Sequence, residues 1–157
     1  MAVTHEEFRQ ALGRFASGVT VVTCTNGAGD PCGITVSAFS SLSLEPPLVL
    51  ICIDKRASLY EELQEGCFFA VNVLAHDQEN ISRRFASREP DRFKGIGYRE
   101  GQTGAPLIDG ALAVIECRVV QACPGGDHAI FIGEVESSGV NDGKPLLYFR
   151  GGYSSIA

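Results

Sequence analysis

The sequence predicts a mainly β fold in which antiparallel strands are joined by turns and accompanied by short helices. Apolar runs rich in β-branched residues recur along the 157-residue chain, separated by turns that contain Gly, Asn and Pro. These strand candidates mostly follow one another directly, which favours an antiparallel sheet or barrel over βαβ units. The length, at about 150 residues per domain, predicts a single domain over residues 1–157.

The N-terminal segment predicts a helix. Thr4-His5-Glu6-Glu7 is a Thr-x-x-Glu capping box, the pattern that satisfies the first free N–H groups of a helix. Phe8, Leu12 and Phe15 follow at the spacing of one helix face. Gly18 is a residue type that often ends a helix, so we expect the helix to stop there.

A strand hairpin and a third strand come next. Residues 19–25 are β-branched, residues 26–31 have turn composition, and residues 32–39 read as the returning strand. Leu44-Glu45-Pro46-Pro47 predicts an end to strand pairing, because proline cannot donate to a ladder. Residues 48–54 are continuously apolar and predict a strand that is buried on both faces.

The rest of the chain continues the alternation of strands and turns. Ser58-Leu59-Tyr60-Glu61 is a second capping box and predicts a short helix that ends at Gly66. The remaining candidates are a strand at 67–74, a helix at 77–85, an irregular segment at 87–110, and strands at 111–123, 128–138 and 145–150.

Charge and composition exclude several classes of partner. The 13 Lys and Arg against 19 Asp and Glu give a net charge of −6, which argues against nucleic acid and anionic membranes. No apolar run reaches the roughly 18–20 residues that cross a bilayer. The polar N-terminus shows no secretory leader, so we expect a cytoplasmic protein.

The six cysteines predict neither disulfides nor a metal site. There is no Cys-x-x-Cys, and the three histidines, His5, His76 and His128, fit no zinc-site spacing. Two of the cysteines, Cys52 and Cys67, lie within apolar runs. We therefore expect free thiols in a reducing compartment.

Two polar segments flank the predicted strand at 48–54. Residues 35–43 hold five hydroxyl side chains, which suit close approach of a ligand to the backbone and equally suit a polar loop. Asp54-Lys55-Arg56-Ala57-Ser58 places two cations before a helix, as in an anion site or a solvated turn. Together the two segments favour a phosphorylated ligand.

Two further segments could contribute to a site. Six cations lie within residues 83–99, as a phosphate-binding rim, a solvated loop or a subunit contact would have. His128 follows a glycine-rich turn at 125–127, where it could donate a hydrogen bond, transfer a proton or cap the turn.

Several enzyme classes lack their motifs here. There is no P-loop, and neither Gly-x-Gly pair continues into a dinucleotide fingerprint. No serine lies in a Gly-x-Ser-x-Gly elbow. Asp127 and His128 are adjacent and would point to opposite faces of a strand, so we expect Asp127 not to orient His128.

The order of motifs resembles the short-chain flavin reductases, the reductase components of two-component flavin monooxygenases. The resemblance extends from about residue 5 to residue 156. The matching residues are Phe8, Phe15, 18–23, 33–43, 46–48, Phe68, 71–74, 84–85, 126–128 and 145–153.

This resemblance implies an FMN-binding split β-barrel that passes hydride from NADH or NADPH to FMN or FAD. It also implies a homodimer and an oxygenase partner that receives reduced flavin. Hydride transfer requires little acid–base machinery, because the cofactors carry the chemistry. A site with many small polar residues and few candidate acids agrees with that activity.

The resemblance also implies which residues bind flavin and nicotinamide. His128 corresponds to the histidine associated with the nicotinamide, and residues 54–58 correspond to the phosphate end of the flavin. Arg92 and Phe93 lie where the family closes over the flavin. The flavin-binding residues are then Thr35, Val36, Ser37, Ala38, Phe39, Ser40, Ser41, Asp54, Lys55, Ala57, Ser58, Arg92, Phe93 and Tyr153.

Two other functions are open at the level of the sequence. A non-catalytic flavin carrier on the same fold would need the same polar segments, and mixing with NADH and flavin distinguishes it. A split-barrel oxidase or haem-handling protein would show itself in the absorption spectrum. His5 and His76 lie in polar surroundings, which weakens haem ligation.

Overall fold

The structure is a computed structural model that describes residues 2–157. The helices are α1 (His5–Leu12), α2 (Ser58–Glu62) and α3 (Glu79–Ala86). The strands are β1 (Ser17–Gly18), β2 (Thr20–Thr25), β3 (Pro31–Val36), β4 (Phe39–Leu44), β5 (Pro47–Asp54), β6 (Phe68–Val73), β7 (Tyr98–Glu100), β8 (Pro106–Ile108), β9 (Ala113–Gly125), β10 (His128–Val140), β11 (Leu146–Phe149) and β12 (Gly152–Ser155).

Seven strands form one antiparallel sheet in the order β3-β2-β6-β9-β10-β5-β4. Its two edge strands, β3 and β4, are consecutive in the chain and are joined by only Ser37 and Ala38. The three Cα–Cα steps from Val36 to Phe39 span at most about 11 Å, so the sheet must curl until the ends of its two edge strands lie close together. Within residues 2–157 no ladder joins β3 to β4. The result is the expected antiparallel barrel, split between these two strands.

The barrel interior is the main core. Side chains from both ends of the sheet meet there, including Val22 and Val36 at one end and Ile51 and Phe131 at the other, all nearly inaccessible to solvent. A second apolar cluster lies where α3 covers the sheet, around the fully buried Phe85. The long strands that line these clusters hold the edges of the split in position.

Helix α1 forms as the capping box predicts, but it differs in length and burial. Thr4 accepts from the Glu7 N–H and the Glu7 carboxylate accepts from the Thr4 N–H at 2.8 Å. The helix ends at Leu12 with Gly13 as its C-cap, and Gly18 lies in β1, so the expected end at Gly18 is wrong. None of its residues is buried.

The region before and within β5 departs from expectation. Leu44 pairs directly with Pro47, so Glu45-Pro46 turns the chain between β4 and β5 instead of ending the pairing. The hydroxyl segment is therefore largely a strand and not a loop. In β5 fully buried residues alternate with half-buried ones, so only one face is fully buried and the expectation of two is wrong.

The prediction of a second capping box, at Ser58, is also wrong. Ala57 is the N-cap of α2, Ser58 is its first helical residue, and no side-chain cap bond forms. The helix ends before Leu63 rather than at Gly66.

The remaining strand and helix candidates are confirmed with shifts of one to three residues at their ends. The segment at 87–110 contains the short pair β7 and β8 within its irregular backbone, and the C-terminal candidate is followed by β12. In residues 2–157 no helix has the length and apolar character needed to cross a bilayer.

Candidate functional site

The hydroxyl segment lies at the split of the barrel. Thr35 and Val36 end β3, Ser37 and Ala38 are exposed, and Phe39 begins β4. Val36 is buried, and its carbonyl accepts from Thr20 Oγ1 at 2.6 Å.

β4 is an edge strand whose one ladder, in the part of the chain that the structure describes, is with β5. Ser40 and Ser41 on this strand are exposed, whereas Phe39 packs against the main core. Small hydroxyl residues on an open edge present unpaired backbone groups as well as side-chain donors.

A cleft of about 200 Å³ opens beside this segment. It brings together Thr35, Ser37 and Tyr153 of the expected site. The Tyr153 hydroxyl lies 2.7 Å from Ser82 Oγ, and Thr35 Oγ1 donates to the Ser82 carbonyl at 2.6 Å. Ser82 therefore holds both side chains in place. The other lining residues are Val19, Ala86 and Tyr148.

A second cleft, of about 280 Å³, lies further along β3. It brings together Ser58, Arg92 and Phe93 of the expected site, and the exposed Arg88 also lines it. Arg92 donates to the carbonyls of Gly33 and Phe85 at 3.0 and 3.3 Å, so its guanidinium is anchored to β3 and α3.

Phe93 is a core residue in this structure. It is 7% exposed, and its ring packs edge-on against Phe85 and Tyr98 with centroid distances of 4.9 and 5.0 Å. Phe93 also lines the second cleft, and its assignment to flavin remains a prediction.

The turn after β5 contains an ion pair between Asp54 and Arg56. Both carboxylate oxygens of Asp54 bind the Arg56 guanidinium, at 3.2 and 2.9 Å, and Oδ1 also accepts from the Arg56 N–H. These hydrogen bonds from Arg56 hold the pKa of Asp54 well below its usual range. Lys55 and Arg56 are both exposed, while Ala57 is half-buried.

His128 begins β10 directly opposite Asp54 on β5. The Lys55 N–H donates to the Asp127 carbonyl at 2.9 Å, which ties the two turns together. His128 is half-buried and lines neither cleft.

Asp127 does orient His128, contrary to the expectation from strand alternation. Its Oδ1 lies 2.7 Å from His128 Nδ1. Asp127 belongs to the turn and not to the strand, and Gly126 precedes it with φ +63°, so the alternation rule does not apply. The hydrogen bond to His128 lowers the pKa of Asp127.

Sequence reasoning missed the residues that line the clefts from other elements. Ser82 carries no motif and reaches the first cleft only because α3 packs on the sheet. Cys32 and Gly33 lie in the second cleft as part of a strand that reads as ordinary. Among residues 2–157 no three His, Cys, Asp or Glu side chains gather into a set that could hold a metal ion.

Comparison with known proteins identifies the family. The flavin reductase like domain matches residues 12–157. The chain is 42% identical to the reductase subunit HsaB of a flavin-dependent monooxygenase from Rhodococcus jostii, over 99% of this chain and 80% of the relative. It is also 42% identical to an NADH-dependent flavin reductase from a Rhodococcus species, over 98% of this chain and 88% of the relative.

A solved structure of a flavin-reducing enzyme is similar to this chain in fold and sequence. The Streptomyces globisporus NADH:FAD oxidoreductase SgcE6, in complex with NAD and FAD fragments, is similar with a TM-score of 0.91 and 39% identity, over 97% of this chain and 92% of that one. The domain match covers most of the chain, and the fold and the motif order agree with it. The chain belongs to the flavin reductase like domain family.

Proposed function

We propose that the protein is an NAD(P)H-dependent flavin reductase that transfers hydride from the nicotinamide to FMN or FAD. The observation that carries this is the split between β3 and β4, an open edge with exposed small hydroxyl residues beside a cleft that contains Thr35, Ser37 and Tyr153. The relatives named as NADH-dependent and NADH:FAD enzymes support it.

The residues at the split fit a flavin. Flavin carries ring nitrogens and carbonyl oxygens along one edge, and the exposed hydroxyl groups of Ser37, Ser40 and Ser41 can both donate and accept hydrogen bonds. The phosphate of the flavin would meet Ser58, Lys55 and Arg92 further along. When bound, flavin accepts the hydride that the nicotinamide gives up. The protein then has to position two ligands and leave a path between them.

His128 would orient the nicotinamide. Its Nδ1 is engaged by Asp127, which leaves Nε2, without a partner in residues 2–157, to face a ligand. An imidazole held in one tautomer presents a defined hydrogen-bonding atom to the nicotinamide carboxamide. Asp54 and Lys55 border it across the β5–β10 ladder.

We also propose a homodimer formed through α1 and the segment after it. Phe8 and Leu12 of α1, together with Phe15 in the segment after it, are 54%, 57% and 81% exposed. An amphipathic helix whose apolar face meets no core of its own chain favours a second protein surface. Strands from both halves of the chain share one sheet, so each subunit of the dimer would be the single domain expected for residues 1–157.

The chain would supply reduced flavin to an oxygenase component. The Rhodococcus jostii relative is named as the reductase subunit of a flavin-dependent monooxygenase, and the chain spans four-fifths of it. Such a reductase binds flavin as a substrate and releases it after reduction.

The test is NADH oxidation by flavin-stripped protein in air, with FMN, with FAD and without flavin. Oxidation that requires flavin and saturates with it supports the proposal, and the better flavin and nicotinamide pair identifies the substrates. If flavin binds while NADH and NADPH both remain unoxidised, the protein is a carrier.

A further inference from the structure

We propose that Cys24 and Cys32 form an oxidation site, a cross-strand dithiol that hydrogen peroxide converts into a disulfide on the wall of the second cleft. No other pair of cysteines in residues 2–157 has its sulfur atoms in hydrogen-bonding contact. The site lies outside the residues assigned to flavin and nicotinamide, and the hydride transfer makes no use of it.

The two cysteines face each other across an antiparallel ladder. Cys24 on β2 is the direct register partner of Cys32 on β3, and the two Sγ atoms are 3.0 Å apart. Directly opposed residues of antiparallel strands have Cα atoms about 4.5–5.5 Å apart, within the range that a disulfide bridges. The strands therefore need not separate or slip for the bond to form.

The two thiols differ in solvent access and in pKa, so they would have different roles in the oxidation. Cys24 is 2% exposed in the barrel core, whereas Cys32 is half-buried and lines the second cleft with Gly33, Ser58 and Arg92. A hydrogen bond from the Cys24 thiol lowers the pKa of Cys32, and that same bond together with burial raises the pKa of Cys24. Cys32 is thus the thiolate that reacts and Cys24 the thiol that resolves.

The chemistry balances in two steps. The Cys32 thiolate attacks one oxygen of hydrogen peroxide, the O–O bond breaks, and Cys32 becomes a sulfenic acid as hydroxide leaves. Cys24 then attacks the Cys32 sulfur, an S–S bond forms, the S–O bond breaks, and the sulfenic oxygen leaves as water. One peroxide is reduced to two waters while two thiols are oxidised to one disulfide.

The source of peroxide rests on the proposed function. Reduced flavin released into air without an oxygenase gives its two electrons and two protons to O2, which forms hydrogen peroxide. A reductase that works faster than its partner consumes the flavin would raise the peroxide concentration in the surrounding solvent, which also fills the second cleft. Cys32 is the cysteine placed to meet it there.

The first experiment needs no flavin. The reduced protein is treated with hydrogen peroxide, denatured, and its remaining thiols are alkylated and counted by intact mass. We expect the number of alkylated cysteines to fall from six to four and to return to six after dithiothreitol. A count that stays at six with no disulfide would overturn the proposal.

Variants identify the pair. In Cys52→Ser, a control with a half-buried cysteine on β5, two of the five remaining thiols should still be lost. In Cys24→Ser, Cys32 should stop at the sulfenic acid and take up dimedone, and in Cys32→Ser no disulfide should form. A disulfide that forms at an undiminished rate in Cys32→Ser contradicts the assignment.

Mapping in Cys52→Ser keeps the test valid even if Cys24→Ser fails to fold. Cleavage before Asp30 and Asp54 separates residues 1–29, which contain only Cys24, from residues 30–53, which then contain only Cys32. The oxidised protein should give these two peptides as one species that reduction splits. Linkage of either peptide to Cys67, Cys117 or Cys123 would overturn the pairing.

Turnover then tests the source of the oxidant separately. With NADH and flavin in air the same disulfide should accumulate, and catalase should prevent it. If added peroxide forms the disulfide but active turnover does not, the claimed source is wrong while the site stands. If NADH is not oxidised at all, the proposed function fails and the peroxide result alone decides the site.

Discussion

His128 is the side chain on which the assignment of the nicotinamide site depends. Replacing His128 with Ala removes one hydrogen-bonding atom, worth about 1 kcal/mol in a typical contact. We therefore expect the KM for the nicotinamide to rise about five- to tenfold while the KM for flavin stays unchanged. Steady-state kinetics with each substrate varied in turn measures both constants.

The control for this prediction is His76→Ala, which removes an exposed side chain and keeps the backbone hydrogen bond from His76 to the Lys144 carbonyl. It should leave both constants at their original values. Weakened flavin binding with an unchanged nicotinamide constant in His128→Ala would move His128 to the flavin site.

The buried thiol of Cys117 should resist alkylation in the folded protein. Burial is the main cause that raises the pKa of this thiol to about 12, and alkylation requires the thiolate. Below pH 10 the thiol is neutral and inaccessible, and protection should end only as the pH approaches 12 or the protein unfolds. Iodoacetamide labelling followed by mass spectrometry should find Cys67, which is exposed, modified at pH 8 and Cys117 unmodified.

Single residues show where sequence reasoning succeeds and fails at the candidate site. Thr35, Ser37 and Tyr153 meet in one cleft, as the hydroxyl segment and the family resemblance indicate. Ser82 was missed because its role depends on where α3 packs, which no local pattern encodes. The orientation of His128 by Asp127 was missed because a glycine with positive φ places Asp127 in the turn.

The β9–β10 ladder depends on close packing at a glycine. A Cβ at Gly133 would lie 2.6 Å from Phe69 Cζ and 2.8 Å from Cys117 Cβ, and both neighbours are fully buried. Overpacking of this kind costs about 1–3 kcal/mol. Gly133→Ala should therefore lower the free energy of unfolding by that amount in urea denaturation.

Gly139 provides the matched control on the same strand. A Cβ there would lie 3.6 Å from the nearest atom, a methyl carbon of Val114, which is an ordinary contact. Gly139→Ala should leave the free energy of unfolding unchanged or slightly raised. Equal stability of the two variants would contradict the packing described for Gly133.

Strong periodic patterns predicted the long strands, and short elements escaped prediction. β6, β9 and β10 are apolar and β-branched over many residues, so propensity and burial agree. β7 and β8 contain only three residues each; β8 is held against the sheet by hydrogen bonds to Thr23 and Asn72, and β7 pairs with β8. Leu44 and Pro47 pair because proline is tolerated at the first residue of a strand. The expectation that the two prolines end strand pairing did not include this case.

The exposed apolar face of α1 predicts how the molecule assembles. Phe8→Gln combined with Phe15→Gln should convert a dimer to a monomer, because it removes two large exposed apolar side chains from the proposed contact. Sedimentation equilibrium measures the mass directly. Glutamine keeps helix propensity high at position 8, and Phe15 lies outside α1, so α1 itself should persist.

Arg9→Gln is the control, a polar replacement at a neighbouring exposed position of the same helix. It should leave the mass of the assembly unchanged. A wild-type protein that sediments as a monomer, or a double variant that remains a dimer, would contradict the proposed interface.

The reduction of free flavin is the central claim, and an anaerobic titration tests it most directly. A trace of flavin-stripped protein is mixed with a large excess of the preferred flavin, NADH is added in steps, and flavin absorbance is followed. We predict that all of the flavin is bleached, with one flavin reduced for each NADH consumed. Bleaching that stops at an amount equal to the protein, or that never begins, would contradict the account.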